Sequence, residues 1–170
     1  MEAALKANRR TLGAALIVDD DKHVCELLTS MVWRLGFEGI AKAHSTQEAL
    51  DILEFDAIGL ALVDLGLGDE DGGTLISAMR EHKRECIRSL PIVVVSQTTT
   101  RTRILEAIKA GADGFIAKPL SFEAFYRLVS LAAVKRALPP RPAPAPERRP
   151  QDILDAVRAM SSDADILEID

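Results

Sequence analysis

Residues 14–21 read Ala14-Ala15-Leu16-Ile17-Val18-Asp19-Asp20-Asp21, five apolar residues stopped by three aspartates. A strand wetted on one face alternates apolar and polar residues, whereas a strand covered on both faces is an unbroken apolar run. The stretch is therefore a buried strand. Beyond it, Val24, Leu27, Leu28, Met31 and Leu35 recur at spacings of three and four up to Gly36, the pattern of an amphipathic helix ended by a left-handed glycine. The same pair of signals repeats outward. Gly39–Ala43 is a weak strand, and Ser45 with Glu48 makes a capping box ahead of Ala49, Leu50 and Leu53. Ile58–Val63 is a second apolar run ending at Asp64, with Asp71-Gly72 as a turn and a helix over 73–84 carrying Leu75, Ile76 and Met79. Pro91 opens Ile92-Val93-Val94-Val95, which stops at Ser96, and a helix over 101–110 ends at Gly111. Gly114–Ala117 gives way to Lys118-Pro119, and Ser121 caps a last helix that packs through Phe122, Phe125, Leu128, Val129 and Leu131.

Strict alternation of strand and helix requires a parallel sheet, because each crossover helix returns the chain to the same end. The expectation for residues 13–137 is a doubly wound α/β domain, a five-stranded parallel sheet flanked by five helices. Residues 1–12 form a polar leader. Six of the eight prolines fall within 139–150, so residues 138–150 read as an extended, semi-rigid linker. In the tail, 151–170, Ile153, Leu154, Val157 and Met160 share one helical face, and Ile166–Ile169 has strand-like alternation. That tail is read either as disordered or as docking on a partner or on the domain itself. Arg141, Arg148, Arg149 and Arg158 give weak support for a small anionic ligand there.

The chain has 170 residues and a net charge of −5, which disfavours a general nucleic-acid binder. No apolar run approaches the ~18 residues needed to span a bilayer, and the N-terminus has no apolar secretion signal. Cys25 and Cys86 are far apart within helix-like patterns. Both read as small buried groups in a reducing compartment, and a cytoplasmic location follows. His23, His44 and His82 show no ligand spacing.

In a doubly wound sheet, ligands bind outside the carboxyl ends of the strands. Four of the five strands end there in Asp19-Asp20-Asp21, Asp64, Ser96 or Lys118. Strands ~4.8 Å apart bring such side chains into one pocket. Clustered carboxylates repel, and a hard divalent cation such as magnesium resolves the repulsion with oxygen ligands. Carboxylate, magnesium, hydroxyl and amine together suit phosphoryl transfer, with one aspartate as the nucleophile. Asp21 reads as a helix cap rather than a ligand. A dinucleotide site fails, because the three aspartates stand where the pyrophosphate needs a glycine-rich turn.

These residues resemble the receiver domain of two-component response regulators, in register over about 13–137. The resemblance implies that Asp64 is the phosphoacceptor and that magnesium is held by Asp20 directly, Asp19 through water, Asp64, and the backbone carbonyl of Gly66. It makes Ser96 the switch hydroxyl, Lys118 the lysine that pairs with the phosphoryl group, and Phe115 the switch aromatic. It also implies a cis peptide before Pro119. A histidine kinase or histidine phosphotransfer protein would supply the phosphoryl group. Ser96 would then move inward and Phe115 fill the space, changing the face formed by residues 101–137 toward a downstream protein target. A dimer formed on phosphorylation is compatible with this scheme. The 33 residues after the domain are few for a DNA-binding or enzymatic output. The implied function is a single-domain, CheY-like regulator with at most slow self-hydrolysis, without direct DNA binding or membrane insertion.

Two positions depart from the family. Gly68 stands where many members have proline, implying a looser loop, and Gln97 stands where a small residue is common, crowding Asp64 and altering phosphorylation kinetics. Two rivals remain at this point. One is a phosphorylation-independent adaptor acting through its tail. The other is an aspartyl-phosphate phosphohydrolase with its nucleophile after the first strand, a role Asp19-Asp20-Asp21 fits while leaving Asp64 unexplained.

Overall fold

Each apolar run becomes a strand of one parallel sheet in the computed structural model, which describes residues 13–97 and 100–137. The elements, in chain order, are β1 (Ala14–Val18), α1 (Lys22–Leu35), β2 (Gly39–Ala43), α2 (Thr46–Phe55), β3 (Ile58–Val63), β4 (Gly66–Leu67), β5 (Glu70–Asp71), α3 (Gly72–Arg80), α4 (Glu85–Arg88), β6 (Ile92–Ser96), α5 (Arg101–Ala110), β7 (Gly114–Ala117) and α6 (Phe122–Ala137). The sheet order is β2-β1-β3-β6-β7, all parallel, so strand order reverses beside β1. This is the flavodoxin-like order of a doubly wound sheet. The leader, the proline-rich linker and the tail lie outside the described residues.

The unbroken apolar runs are explained by a core on each face of the sheet. Leu16, Val18, Ala61, Val63, Ile92 and Val94 point to one side, under α2, α3 and α5. Their neighbours Ala15, Ile17, Leu60, Leu62, Val93 and Val95 point to the other, under α1 and α6. Every inward residue of β1, β3 and β6 thus has apolar cover, each Val, Leu or Ile side chain contributing about 1.5–3 kcal/mol on burial. β2, at the sheet edge, is only half-buried, which is why its sequence is a weak strand signal.

Caps fall where the residue types allow. Asp21 accepts from the amides of His23 (2.8 Å) and Val24 (3.4 Å) at the start of α1, and Gly36 ends that helix at φ +87°. Ser45 accepts from Glu48 N, while the Glu48 carboxylate takes the amide of His44. Thr100 caps α5, which ends at Gly111 with φ +110°.

Four expectations need correction. The helix over 73–84 stops at Arg80, because residues 81–84, Glu-His-Lys-Arg, offer no apolar side chain to bury, and a one-turn helix, α4, follows as a sixth. Leu131 is 58% exposed, because α6 packs through Phe125, Val129 and Ala132 and turns Leu131 away. Cys25 is buried but Cys86, on the single turn of α4, is exposed. The segment after Asp64 is no loose loop: β4 and β5 pair as a small antiparallel hairpin, with Gly68 at its tip at φ +61°, a conformation closed to proline.

At the amino ends of β6 and β7, Asp113 joins the elements around it. Its fully buried carboxylate is 2.8 Å from both Arg80 and Arg136 and accepts from the amide of Ile92. Arg80 also donates to the carbonyls of Arg88, Leu90 and Gly111. Burial lowers the Arg80 guanidinium to about 10, opposed by Asp113.

Candidate functional site

Asp19, Asp64 and Lys118 each follow the last residue of a strand, and backbone bonds fix them there. Asp19 N donates to Ala43 O (3.2 Å), Asp64 N to Val18 O (2.9 Å) and Lys118 N to Ser96 O (2.9 Å). Their side chains meet at the carboxyl edge of β1, β3 and β7. The Lys118 ammonium lies 2.8 Å from Asp19 Oδ2 and 2.8 Å from Asp64 Oδ2. Asp19 Oδ1 accepts from Asp21 N (2.9 Å), and Asp64 Oδ1 accepts from Gly66 N (3.2 Å). The Lys118–Pro119 peptide is cis.

The two acids differ in access. Asp19 is 1% exposed and Asp64 8% exposed, and both line a cleft of about 390 Å³. Asp20, Asp21, Gly66, Ser96, Gln97, Arg103 and Lys118 also line that cleft. Burial pushes the Asp19 carboxyl up, against the hydrogen bonds from Lys118 and Asp21 N. For Lys118, burial works to lower the ammonium, but the bonds to Asp19 and Asp64 outweigh it and hold the group above the ordinary lysine value. Oxygens of Asp19, Asp20 and Asp64 lie within 4.8 Å of one another. Three carboxylates against one ammonium leave an excess of two negative charges. An all-oxygen donor set with that excess fits a hard divalent cation such as magnesium.

All the residues singled out from the sequence come to this edge except Phe115. Ser96 is buried at the end of β6 and lines the cleft. Gly66 opens the hairpin next to Asp64. Phe115 lies two residues inside β7, opposite Val94, half-buried against the core under α2, α3 and α5. Gln97 is exposed at the cleft rim.

Three features went unread in the sequence. Gly72 is pressed against the backbone of Asp64: a Cβ there would lie 2.0 Å from the Asp64 carbonyl oxygen, so only glycine permits this approach. His44 Nδ1 meets the carbonyl of Asp19 at 2.9 Å. Arg103 reaches the cleft from α5, and the signal for it was a pair of arginines, Arg101 and Arg103, in a helix first turn without any acid.

The profile of the response regulator receiver domain matches residues 15–130. The chain belongs to the response regulator receiver domain family. Among relatives of this receiver, the transcriptional regulatory protein GltR of Pseudomonas aeruginosa is 31% identical over 117 residues, covering 69% of this chain and 46% of GltR. The transcriptional regulatory protein SrrA of Staphylococcus aureus is 34% identical over 106 residues, 62% of this chain and 42% of SrrA. The receiver thus spans less than half the length of either. Among solved structures, a two-component response regulator from Clostridium difficile superposes with a TM-score of 0.65 at 28% identity, covering 75% of this chain and 99% of its own. A sensor protein from Polaromonas sp. JS666 gives 0.65 at 30% identity, covering 73% and 98%. A receiver implies a phosphodonor such as a histidine kinase. Among the described residues no helix is long and apolar enough to cross a membrane.

Proposed function

We propose that this receiver takes a phosphoryl group on Asp64 from the phosphohistidine of a kinase or phosphotransfer protein, in the cytoplasm, and signals through protein contacts. The observation that carries the reading is the asymmetry of the two acids. Both acids line the cleft and share Lys118, but Asp19 is 1% exposed and also held by Asp21 N, while Asp64 is the more open of the two at 8%. That asymmetry favours Asp64 over Asp19 as nucleophile and weighs against the phosphohydrolase reading.

In the transfer, an Asp64 carboxylate oxygen forms the new bond to phosphorus as the bond from phosphorus to the histidine nitrogen breaks. The electron pair returns to the imidazole. Lys118 is placed to neutralise charge on the transferred group, and the Ser96 hydroxyl to hydrogen-bond one of its oxygens. Asp19, Asp20 and Asp64, with the Gly66 carbonyl, are the groups that would hold magnesium, which supplies charge neutralisation to donor and acceptor alike. Movement of Ser96 toward the phosphoryl group leaves space for Phe115, whose strand lies between α5 and α6. Leu105, Ile108, Leu131 and Val134 on those helices are exposed apolar contacts for a target or a second copy. The chemistry is uptake and slow hydrolysis, so the protein acts as a switch rather than a turnover enzyme.

The test is acetyl phosphate labelling with magnesium of the full chain and of Asp64→Ala, read by intact mass. One adduct on the wild type that is absent from the variant is expected. An adduct retained in Asp64→Ala, or none on a folded wild type that binds magnesium, overturns the proposal, the latter in favour of an adaptor that works without phosphorylation.

A further inference from the structure

Arg103 stands where helix electrostatics disfavour it. The first turn of a helix carries the positive end of the macrodipole, about half a charge, and welcomes anions. In α5 that turn holds Arg101 and Arg103 and no acidic residue. Arg103 meets one anion across space and one on its own helix: Nη2 lies 3.3 Å from Asp71 Oδ1, and Nη1 lies 3.6 Å from Glu106 one turn on. Its side chain also lines the acidic cleft beside Asp64, Ser96 and Lys118.

The Asp71 oxygen it touches is already engaged. Asp71 is the N-cap of α3, and the same Oδ1 accepts from Gly73 N at 3.2 Å. Arg103 therefore sits between two anionic positions, a half-exposed carboxylate on the hairpin and the acceptor edge of the cleft. A phosphoryl group brings up to ~2 negative charges and three acceptor oxygens, a stronger attraction for a guanidinium fork than one shared carboxylate oxygen.

On the reading of Asp64 as phosphoacceptor, we infer that Arg103 is a further phosphoryl-binding residue, which leaves Asp71 for the phosphoryl oxygens once Asp64 is modified. The exchange adds a second cation beside Lys118. It also returns Asp71 Oδ1 wholly to the α3 cap, so the state of Asp64 is felt where α3 packs on α5. Here the arginine binds the group itself, and the change at the α3 cap is the consequence.

The experiment uses beryllofluoride with magnesium as the phosphoryl mimic, on full-length wild type, Arg103→Gln and Asp71→Asn. Asparagine still caps a helix but has no charge to detain Arg103. Charge-assisted bonds of this kind translate to roughly tenfold in affinity, so Arg103→Gln should bind the mimic about tenfold more weakly. Asp71→Asn should bind it more tightly, and in the wild type the Gly73 amide and the Arg103 Nε resonance should shift together on saturation. General damage at the rim would weaken both variants, so the opposite signs are diagnostic. Equal affinity of Arg103→Gln and wild type, or no gain in Asp71→Asn, overturns the inference while leaving Asp64 as acceptor. A wild type that takes up no mimic at all overturns the acceptor reading, and this inference with it.

Discussion

Replacing Lys118 by methionine keeps most of the aliphatic stem and removes the ammonium that Asp19 and Asp64 share. Two bonds of 2.8 Å are lost, each between charged groups. Such bonds contribute about 1.5–3 kcal/mol apiece, a gross loss of roughly 3–6 kcal/mol. Against this stands the cost of burying the ammonium, which the variant no longer bears. A net loss of about 3 kcal/mol at neutral pH results, or roughly 10 °C in Tm for a domain of this size. The dependence on pH identifies the cause. Burial raises the Asp19 carboxyl above its unfolded value, more so without the lysine, so the folded variant gains stability as pH falls through the carboxylate range. Lys118 is raised in the wild type, so its contribution is complete below the ordinary lysine value of 10.5 and fades as pH rises through the higher folded value. The gap between the two proteins should therefore be widest near neutrality, close at both extremes, and narrow with magnesium, which would stand in for the lost cation. Urea unfolding followed by circular dichroism across pH, with and without magnesium, measures it. A gap that is absent, or equal at every pH, would refute the shared-ammonium account and leave only lost packing.

Gly72→Ala places a Cβ against the backbone of Asp64 and should cost at least ~2 kcal/mol while displacing that residue. Thermal unfolding and acetyl phosphate labelling check it, and labelling at the wild-type rate would contradict the close approach. Asp113→Ala leaves Arg80 and Arg136 without their shared anion and should cost about 3–5 kcal/mol in denaturant unfolding. Asp20 is exposed and has no packing role, so Asp20→Ala should change stability by less than ~0.5 kcal/mol yet abolish magnesium binding in calorimetry. Undiminished binding would remove Asp20 from the ligand set.

The sheet and the polar residues at its carboxyl edge were legible because one requirement produces both signals. Strands buried on two faces must be apolar until they emerge, so Asp19, Asp64, Ser96 and Lys118 are marked by where hydrophobicity stops. What escaped depends on contacts distant in sequence or on elements too short to carry a pattern. The Asp113 cluster joins residues 33 and 23 positions apart through groups that look like ordinary surface charges. The hairpin after Asp64 rests on two residue pairs, too short for any periodic signal. Arg103 carried a signal, a cation in the wrong turn of a helix, but its meaning appears only when Asp71 is seen opposite.

One consequence concerns β7. This strand has a single sheet neighbour and only four residues, so by itself it could slide in register. Yet Asp113, just before it, is gripped by Arg80 and Arg136, and Lys118, just after it, is gripped by Asp19 and Asp64. A slip of one residue would break both grips at once. β7 is a bar bolted at its two ends, so its register, and with it the pairing of Phe115 with Val94, is held by charge from outside the strand rather than by its own four residues.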